Sequence, residues 1–187
     1  NLLRKWKNID NNKIRVLHPG VDASTFSPNS GEQNGRLIET DKKVILTVSR
    51  LQPRKGHDVL IAAMPEILKR HPEAHYIIIG SGQQHDYLAG LIKEYSLEDN
   101  VSLLGECTDD EILQWYRRSD LFVLPNRQVG NDVEGFGIVL LEAQACATAV
   151  ITGDSGGTRE TLDVDNTGYI LDCRDTEPLC TTISDLF

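Results

Sequence analysis

The chain has 187 residues, 19 Lys plus Arg against 28 Asp plus Glu, and a formal net charge of −9. Its 40% apolar and 25% charged residues match a globular domain with a real core and exclude collagen, coiled coil and wholesale disorder. No apolar run nears the ~20 residues of a membrane span, and the acidic balance disfavours a nucleic-acid partner while leaving room for a small anion bound by two or three local cations.

The chain starts at Asn1 rather than Met, and residues 1–10 lack the apolar stretch of a signal peptide. It therefore reads as a piece of a longer protein. Residues 13–17 (KIRVL) suit a strand, His18-Pro-Gly-Val-Asp22 is turn chemistry, and residues 29–35 form a polar surface loop. Residues 44–48 (VILTV) are a β-branched strand, followed by Ser49-Arg-Leu-Gln-Pro-Arg-Lys-Gly56. Leu60, Ile61, Met64, Ile67 and Leu68 give a helical stripe that Pro65 should kink or deprive of a hydrogen bond. Residues 76–79 (YIII) are a strand ending at Gly80-Ser81-Gly82, and Leu88, Leu91, Ile92 and Tyr95 mark the next helix. A strand at 101–104 ends at Gly105, Thr108 and Glu111 form a capping box, and a strand at 121–124 ends at Pro125. A helix at 138–145, strands at 149–151 and 169–171, and a last helix within 175–187 complete the series.

The strand runs do not alternate polar and apolar, so they are buried on both faces. Strand–helix alternation with short loops predicts an α/β fold: a Rossmann-like parallel sheet of about six strands with helices on both faces. Ligands bind such sheets beyond the carboxyl ends of the strands. The four cysteines (Cys107, Cys146, Cys173, Cys180) are widely spaced and read as reduced, small apolar residues. No His/Cys spacing suggests a metal.

Three segments could carry chemistry. Arg50, Arg54 and Lys55 put three cations within six residues at a strand end, ahead of a helix N-terminus, which suits a diphosphate; a solvated basic loop is the plain alternative. Gly80-Ser81-Gly82 allows close backbone approach, or is only a tight turn; it is not a G-x-G-x-x-G fingerprint. In Glu134-Gly-Phe-Gly-Ile-Val-Leu-Leu-Glu142 two carboxylates flank an uncharged run of seven. On one helix they would lie roughly 12 Å apart, too far for a paired-carboxylate hydrolase and suited to two contacts along one extended ligand.

With these residues in order, the chain resembles the C-terminal, donor-binding domain of a retaining glycosyltransferase of the GT-B fold, family 4 (glycosyl transferases group 1). The resemblance rests on P-G-V-D with Phe26 and Pro28, S-R-L with K-G-x-D-x-L at 49–60, Gly80-Ser81-Gly82, Leu104-Gly105 and Asp120-Leu-Phe-Val-Leu-Pro125. The E-x7-E pair, Gly156-Gly157-x-x-Glu160 and Gly168 complete it. It implies that Arg50 and Lys55 hold the donor diphosphate and neutralise the leaving group, so that no metal or other cofactor is required. It implies that Glu134 contacts hexose hydroxyls with the backbone amides of Gly135, Phe136 and Gly137, that Glu142 binds the ribose, and that Gly80, Ser81, Leu104 and Gly105 line the base pocket. It implies that Arg50, Lys55 and Glu134 are the catalytic set.

Ala147-Thr148-Ala149 departs from the family's G-x-P, altering a turn rather than a contact, and residues 127–132 lengthen the loop before Glu134. The run D-V-E-G-F-G-I-V-L-L-E-A with the later G-D-S-G-G is similar to GDP-mannose-dependent mannosyltransferases, including the phosphatidylinositol mannosyltransferase group. The implied layout is a leading segment (1–40) from a missing N-terminal acceptor domain, then a C-terminally truncated nucleotide-sugar-binding domain (41–187). The implied setting is cytoplasmic, with peripheral membrane association of the full-length protein. The alternatives are a non-catalytic nucleotide-binding module and a GT-B nucleotide-sugar epimerase. His57, His71, His75 and His85 read as surface or helix-end residues, Trp115 and Tyr116 as packing, and Glu160 as structural.

Overall fold

The computed structural model describes residues 10–28, 41–164 and 166–187; the polar stretch at 29–35 lies outside them. Strands β1 (Lys43–Val48), β2 (Ala74–Ile79), β3 (Val101–Gly105), β4 (Leu121–Leu124), β5 (Ala149–Gly153) and β6 (Gly168–Leu171) form one sheet. Its order is β3-β2-β1-β4-β5-β6, and every pairing is parallel. Six of the seven expected strands are present, with ends moved by at most two residues.

Each face carries its own apolar core because side chains alternate along a strand. Ile45, Tyr76, Ile78 and Val123 pack with Leu60, Ile61, Met64 and Ile67 of α1 (His57–Arg70), Leu88 and Ile92 of α2 (His85–Glu94), and Leu179 and Ile183 of α5 (Glu177–Leu186). Val44, Leu46, Phe122 and Leu124 pack instead with Trp115 and Tyr116 of α3 (Asp109–Arg118) and Leu140 of α4 (Ile138–Ala145). Helix α1 runs through Pro65 without interruption. The ring removes a single amide, and buried Ile61, Met64 and Ile67 on either side hold the helix to the sheet. The expected capping box is present: the Glu111 amide donates to Thr108 Oγ1 at 3.3 Å, and the Thr108 amide to Glu111 Oε2 at 2.8 Å. Cys146 and Cys173 are buried, Cys107 and Cys180 partly so, and all four are free.

The expected strand at residues 13–17 is not formed. A 3-10 turn (Asn11–Lys13) precedes irregular backbone, and Val16 and Leu17 are 54% and 88% exposed. The β-branched pattern is there, but among the described residues no sheet edge pairs with it. The following segment is tied to α3 instead: Arg117 Nε donates to the Ser27 carbonyl at 2.9 Å, and Phe26 meets Tyr116 edge-on at 6.1 Å.

The sheet order sets where a ligand can bind. From β1 the chain builds outward to β2 and β3, then returns through α3 to β4 on the other side of β1 and builds outward to β5 and β6. The order therefore reverses between β1 and β4, and sheets of this kind receive ligands beyond the strand ends at such a reversal.

The turn after α4 shows what the missing G-x-P does. Ala147 occupies φ 63°, a left-handed conformation in which a Cβ is unfavourable. Ala147→Gly should raise stability by about 1 kcal/mol, read as a higher urea midpoint with an unchanged slope. A lower midpoint would show that this turn carries no such strain.

Candidate functional site

The loop after β1 bends through a 3-10 turn (Pro53–Lys55) into Gly56 and then α1. This turn sorts the three cations. Arg50 is exposed, whereas Arg54 and Lys55 are each 8% exposed. The resemblance implies roles for Arg50 and Lys55 and counts Arg54 among the three charges of the run. The structure makes Arg54 a full member of the site.

Arg54 and Lys55 converge on one atom. Glu134 Oε2 accepts from Arg54 Nη1 at 2.8 Å and Lys55 Nζ at 2.5 Å. Glu134 Oε1 takes the amide of Gly135 at 3.2 Å, and Arg54 Nε also reaches Asp132 Oδ1 at 3.1 Å. The lengthened loop at 127–132 thus supplies a second carboxylate for Arg54. Burial lowers the Lys55 pKa, the Glu134 carboxylate opposes that shift, and the Arg54 and Arg50 charges add to it. Lys55 is a poorly hydrated cation whose charge is held by one carboxylate. The expected grouping, cations on phosphate and Glu134 on sugar, places these groups side by side; here they touch.

Neighbouring loops brace this cluster. Arg127 bonds Asp58 of α1 through both guanidinium nitrogens, at 2.9 and 2.7 Å, and its amide donates to the Arg54 carbonyl at 2.9 Å. The Asp of K-G-x-D therefore clamps the loop after β4 to the cation loop. Buried Asn126 accepts from Thr152 Oγ1 and the Gly153 amide and donates to the Ser155 carbonyl, joining the loops after β4 and β5. Gly156 lies against the Glu134 backbone at φ 69°, where a Cβ would sit 1.7 Å from the Glu134 carbonyl oxygen; no other residue fits there.

The remaining expected residues group as follows. Gly80 is required by packing, since a Cβ would lie 2.0 Å from the Ser49 carbonyl oxygen. Its amide donates to the Gly105 carbonyl at 2.7 Å, and the Leu51 amide to the Ser81 carbonyl at 2.8 Å. Ser81 Oγ donates to Glu106 at 2.5 Å, and Leu104 is 40% exposed. Gly80, Ser81, Leu104 and Gly105 thus form one rim continuous with the Arg50 loop. Phe136 stacks on His18, ring centres 5.3 Å apart, and His18 pairs with Glu160 at 2.5 Å. That ties the leading segment to the Gly135–Gly137 loop and gives Glu160 a definite partner. Glu142, half-buried on α4, accepts from Tyr116 Oη at 2.7 Å. Burial raises its pKa, with Tyr116's bond opposing and the Asp109 charge adding. Tyr116 is therefore packing, as expected, and also orients Glu142.

Two histidines are not at the surface. His75 lies inside β2, bonded to Ser102 Oγ at 2.9 Å. His57 is 2% exposed, and burial pushes its pKa down to about 4, with the Arg50 carbonyl and Asp58 opposing and Lys55 adding. It opens α1, as expected of a helix-end residue, but faces inward. Among the described residues no group of three His, Cys, Asp or Glu could hold a metal ion, and no helix is long and apolar enough to cross a membrane.

Glu134→Ala would take the carboxylate from Lys55 and leave Arg54 with Asp132, so it should cost about 3–5 kcal/mol in urea unfolding; an alanine variant as stable as the parent would mean that water already screens the cluster. The His57 pKa is about 4 folded against 6.5 as the ordinary value, so between those pH values the unfolded chain binds the extra proton. The stability tied to this group is complete above pH 6.5 and declines as pH falls toward 4, by up to about 3 kcal/mol. Comparing urea unfolding at neutral and acid pH, His57→Gln should show a shallower pH dependence than the parent; identical slopes would remove His57 from the account.

The family pattern "Glycosyl transferases group 1" matches residues 31–187. A GDP-mannose-dependent alpha-(1-6)-phosphatidylinositol monomannoside mannosyltransferase of Mycolicibacterium smegmatis is 36% identical over 92% of this chain and 47% of its own length. A GDP-mannose-dependent monoacylated alpha-(1-6)-phosphatidylinositol monomannoside mannosyltransferase of Corynebacterium glutamicum is 39% identical over 91% of this chain and 46% of its own. Among solved structures, sucrose-phosphate synthase of Thermosynechococcus elongatus superposes with a TM-score of 0.78 at 28% identity, covering 89% of this chain and 41% of that one. The chain thus spans about half the length of the curated relatives it matches. On these matches and on its six-stranded parallel sheet, the chain belongs to the group 1 glycosyltransferases, as a Rossmann-like domain of the GT-B kind.

Proposed function

We propose that this chain is the nucleotide-sugar-binding part of a retaining hexosyltransferase that moves mannose from GDP-mannose to a glycan or lipid-linked hydroxyl. The observation that carries the reading is the pair of buried cations, Arg54 and Lys55, held on Glu134 where the loops after β1 and β4 meet, with Arg50 exposed beside them. The mannosyl lean rests on the similarity to GDP-mannose-dependent relatives.

In this reading Arg50 and Lys55 grip the diphosphate. As the bond from C1 of the sugar to the phosphate oxygen breaks, charge collects on that oxygen, and cations already in place stabilise it without reorganisation. They supply the charge that a divalent metal would otherwise bring, so the proposal includes neither metal nor cofactor. Lys55 turns from Glu134 to phosphate, Arg54 keeps Glu134 in place, and Glu134 with the amides of Gly135, Phe136 and Gly137 meets the hexose hydroxyls. Glu142 meets the ribose; Gly80, Ser81, Leu104 and Gly105 meet the base. Retention follows if the acceptor attacks the face that the diphosphate leaves, its proton passing to the departing phosphate oxygen. The acceptor is held by an N-terminal domain of the same protein, working in the cytoplasm at the inner face of the membrane.

Calorimetric titration with GDP, UDP and ADP tests the donor half, with GDP expected to bind tightest; binding of none of them would overturn the reading. In the full-length protein, Arg50→Ala and Lys55→Ala should each lower sugar transfer about a hundredfold or more, and near-parental rates would dismiss the assigned roles.

A further inference from the structure

A buried hydrogen-bonded chain runs beneath the cation loop. Ser49 Oγ lies 3.0 Å from His57 Nε2, His57 Nδ1 lies 3.2 Å from Tyr76 Oη, and Tyr76 Oη lies 3.0 Å from Thr47 Oγ1. Thr47 Oγ1 in turn donates to the Val123 carbonyl of β4. The members come from β1, the loop after it, α1, β2 and β4, and Thr47, His57 and Tyr76 are at most 2% exposed.

The direction of this chain follows from its far end. A carbonyl only accepts, so the Thr47 hydroxyl donates to Val123. Thr47 then accepts from Tyr76, whose single proton is thereby used, and Tyr76 accepts from Nδ1–H of His57. Nε2 then faces the Ser49 hydroxyl at 3.0 Å, and that hydroxyl also donates to the Arg50 carbonyl at 3.3 Å. A neutral imidazole with its proton on Nδ1 satisfies the contacts that link His57, Tyr76, Thr47 and Val123, and burial keeps the ring neutral by lowering its pKa.

The two outer partners bracket the cations. Ser49 and His57 stand eight residues apart, and Arg50, Arg54 and Lys55 all lie between them. The contact closes that loop at both ends and anchors it to the sheet. A loop held in its binding shape loses less freedom when a ligand arrives.

We infer that His57 is a positioning residue: it staples Ser49 to the sheet and so holds Arg50 and Lys55 in the arrangement that receives a diphosphate. The inference rests on the proposed donor reading for the identity of the anion. His57 touches no reacting atom in this account, and its inward-facing ring takes no part in proton transfer.

The test measures binding of GDP and of guanosine to the full-length protein, with UDP and uridine, and ADP and adenosine, in parallel. Ser49→Ala and His57→Leu should each weaken diphosphate binding about tenfold while leaving the nucleoside within twofold. His57→Gln, whose amide reaches the place of Nε2, should restore diphosphate binding to within about threefold of the parent. The double variant Ser49→Ala with His57→Leu should bind diphosphate no more weakly than His57→Leu alone, because both changes cut the same link. Should His57→Leu fail to fold, Ser49→Ala and His57→Gln still decide the matter. Additive losses, or nucleoside and diphosphate weakened alike, would mark His57 as an ordinary core residue and overturn the inference. A parent protein that binds no diphosphate overturns the donor reading itself, and with it this role.

Discussion

Glu134 lies eighty residues from Arg54 in the chain, yet its Oε2 receives both Arg54 and Lys55. Two cations cannot be taken out of water so nearly completely unless an opposite charge meets them, and the desolvation penalty is several kcal/mol per ion. Lys55 and Arg54 stay buried and charged only because the loop before α4 delivers a carboxylate to them. That single shared oxygen therefore holds together the loops after β1 and β4. It also distinguishes the two cations: Arg54 has a second carboxylate partner in Asp132, while among the described residues Lys55 pairs with Glu134.

The other braces make sense around that constraint. Arg127 on Asp58, Asn126 across to Gly153 and Ser155, and Gly156 against the Glu134 carbonyl all fasten loops that leave neighbouring strands at the same end of the sheet. In a parallel sheet every strand ends on the same side, so these loops are stacked side by side and can be tied to one another. The net charge of −9 is no obstacle to an anion site here, because three cations come from one short loop and the acidic residues close to them are used as partners.

Strands were the most legible part of the fold. A strand covered on both faces needs apolar residues at nearly every position, so runs such as those in β1, β2 and β4 stand out from the amphipathic helices between them. The capping box at Thr108 and Glu111 was legible for a similar reason: it is a local interaction between residues three apart. The strand expected at residues 13–17 failed because a ladder needs a partner edge, and nothing local announces one. The inward-facing His57 was missed because its partners, Ser49 and Tyr76, come from a strand-end loop and a second strand, and their proximity to it is a property of the packed sheet.

The site divides along the same line. Residue type and short spacing are enough to show a parallel α/β sheet, cations after the first strand, and glycines and carboxylates at the later strand ends. Packing between distant segments is what joins Arg54 to Lys55 on Glu134, sets Gly80 and Gly156 loop against loop, orients Glu142 through Tyr116, and closes the cation loop with His57. These lie beyond local pattern because burial and hydrogen-bond partnership are made by contacts between segments far apart in the chain, which come into being only when the sheet brings its strand ends together.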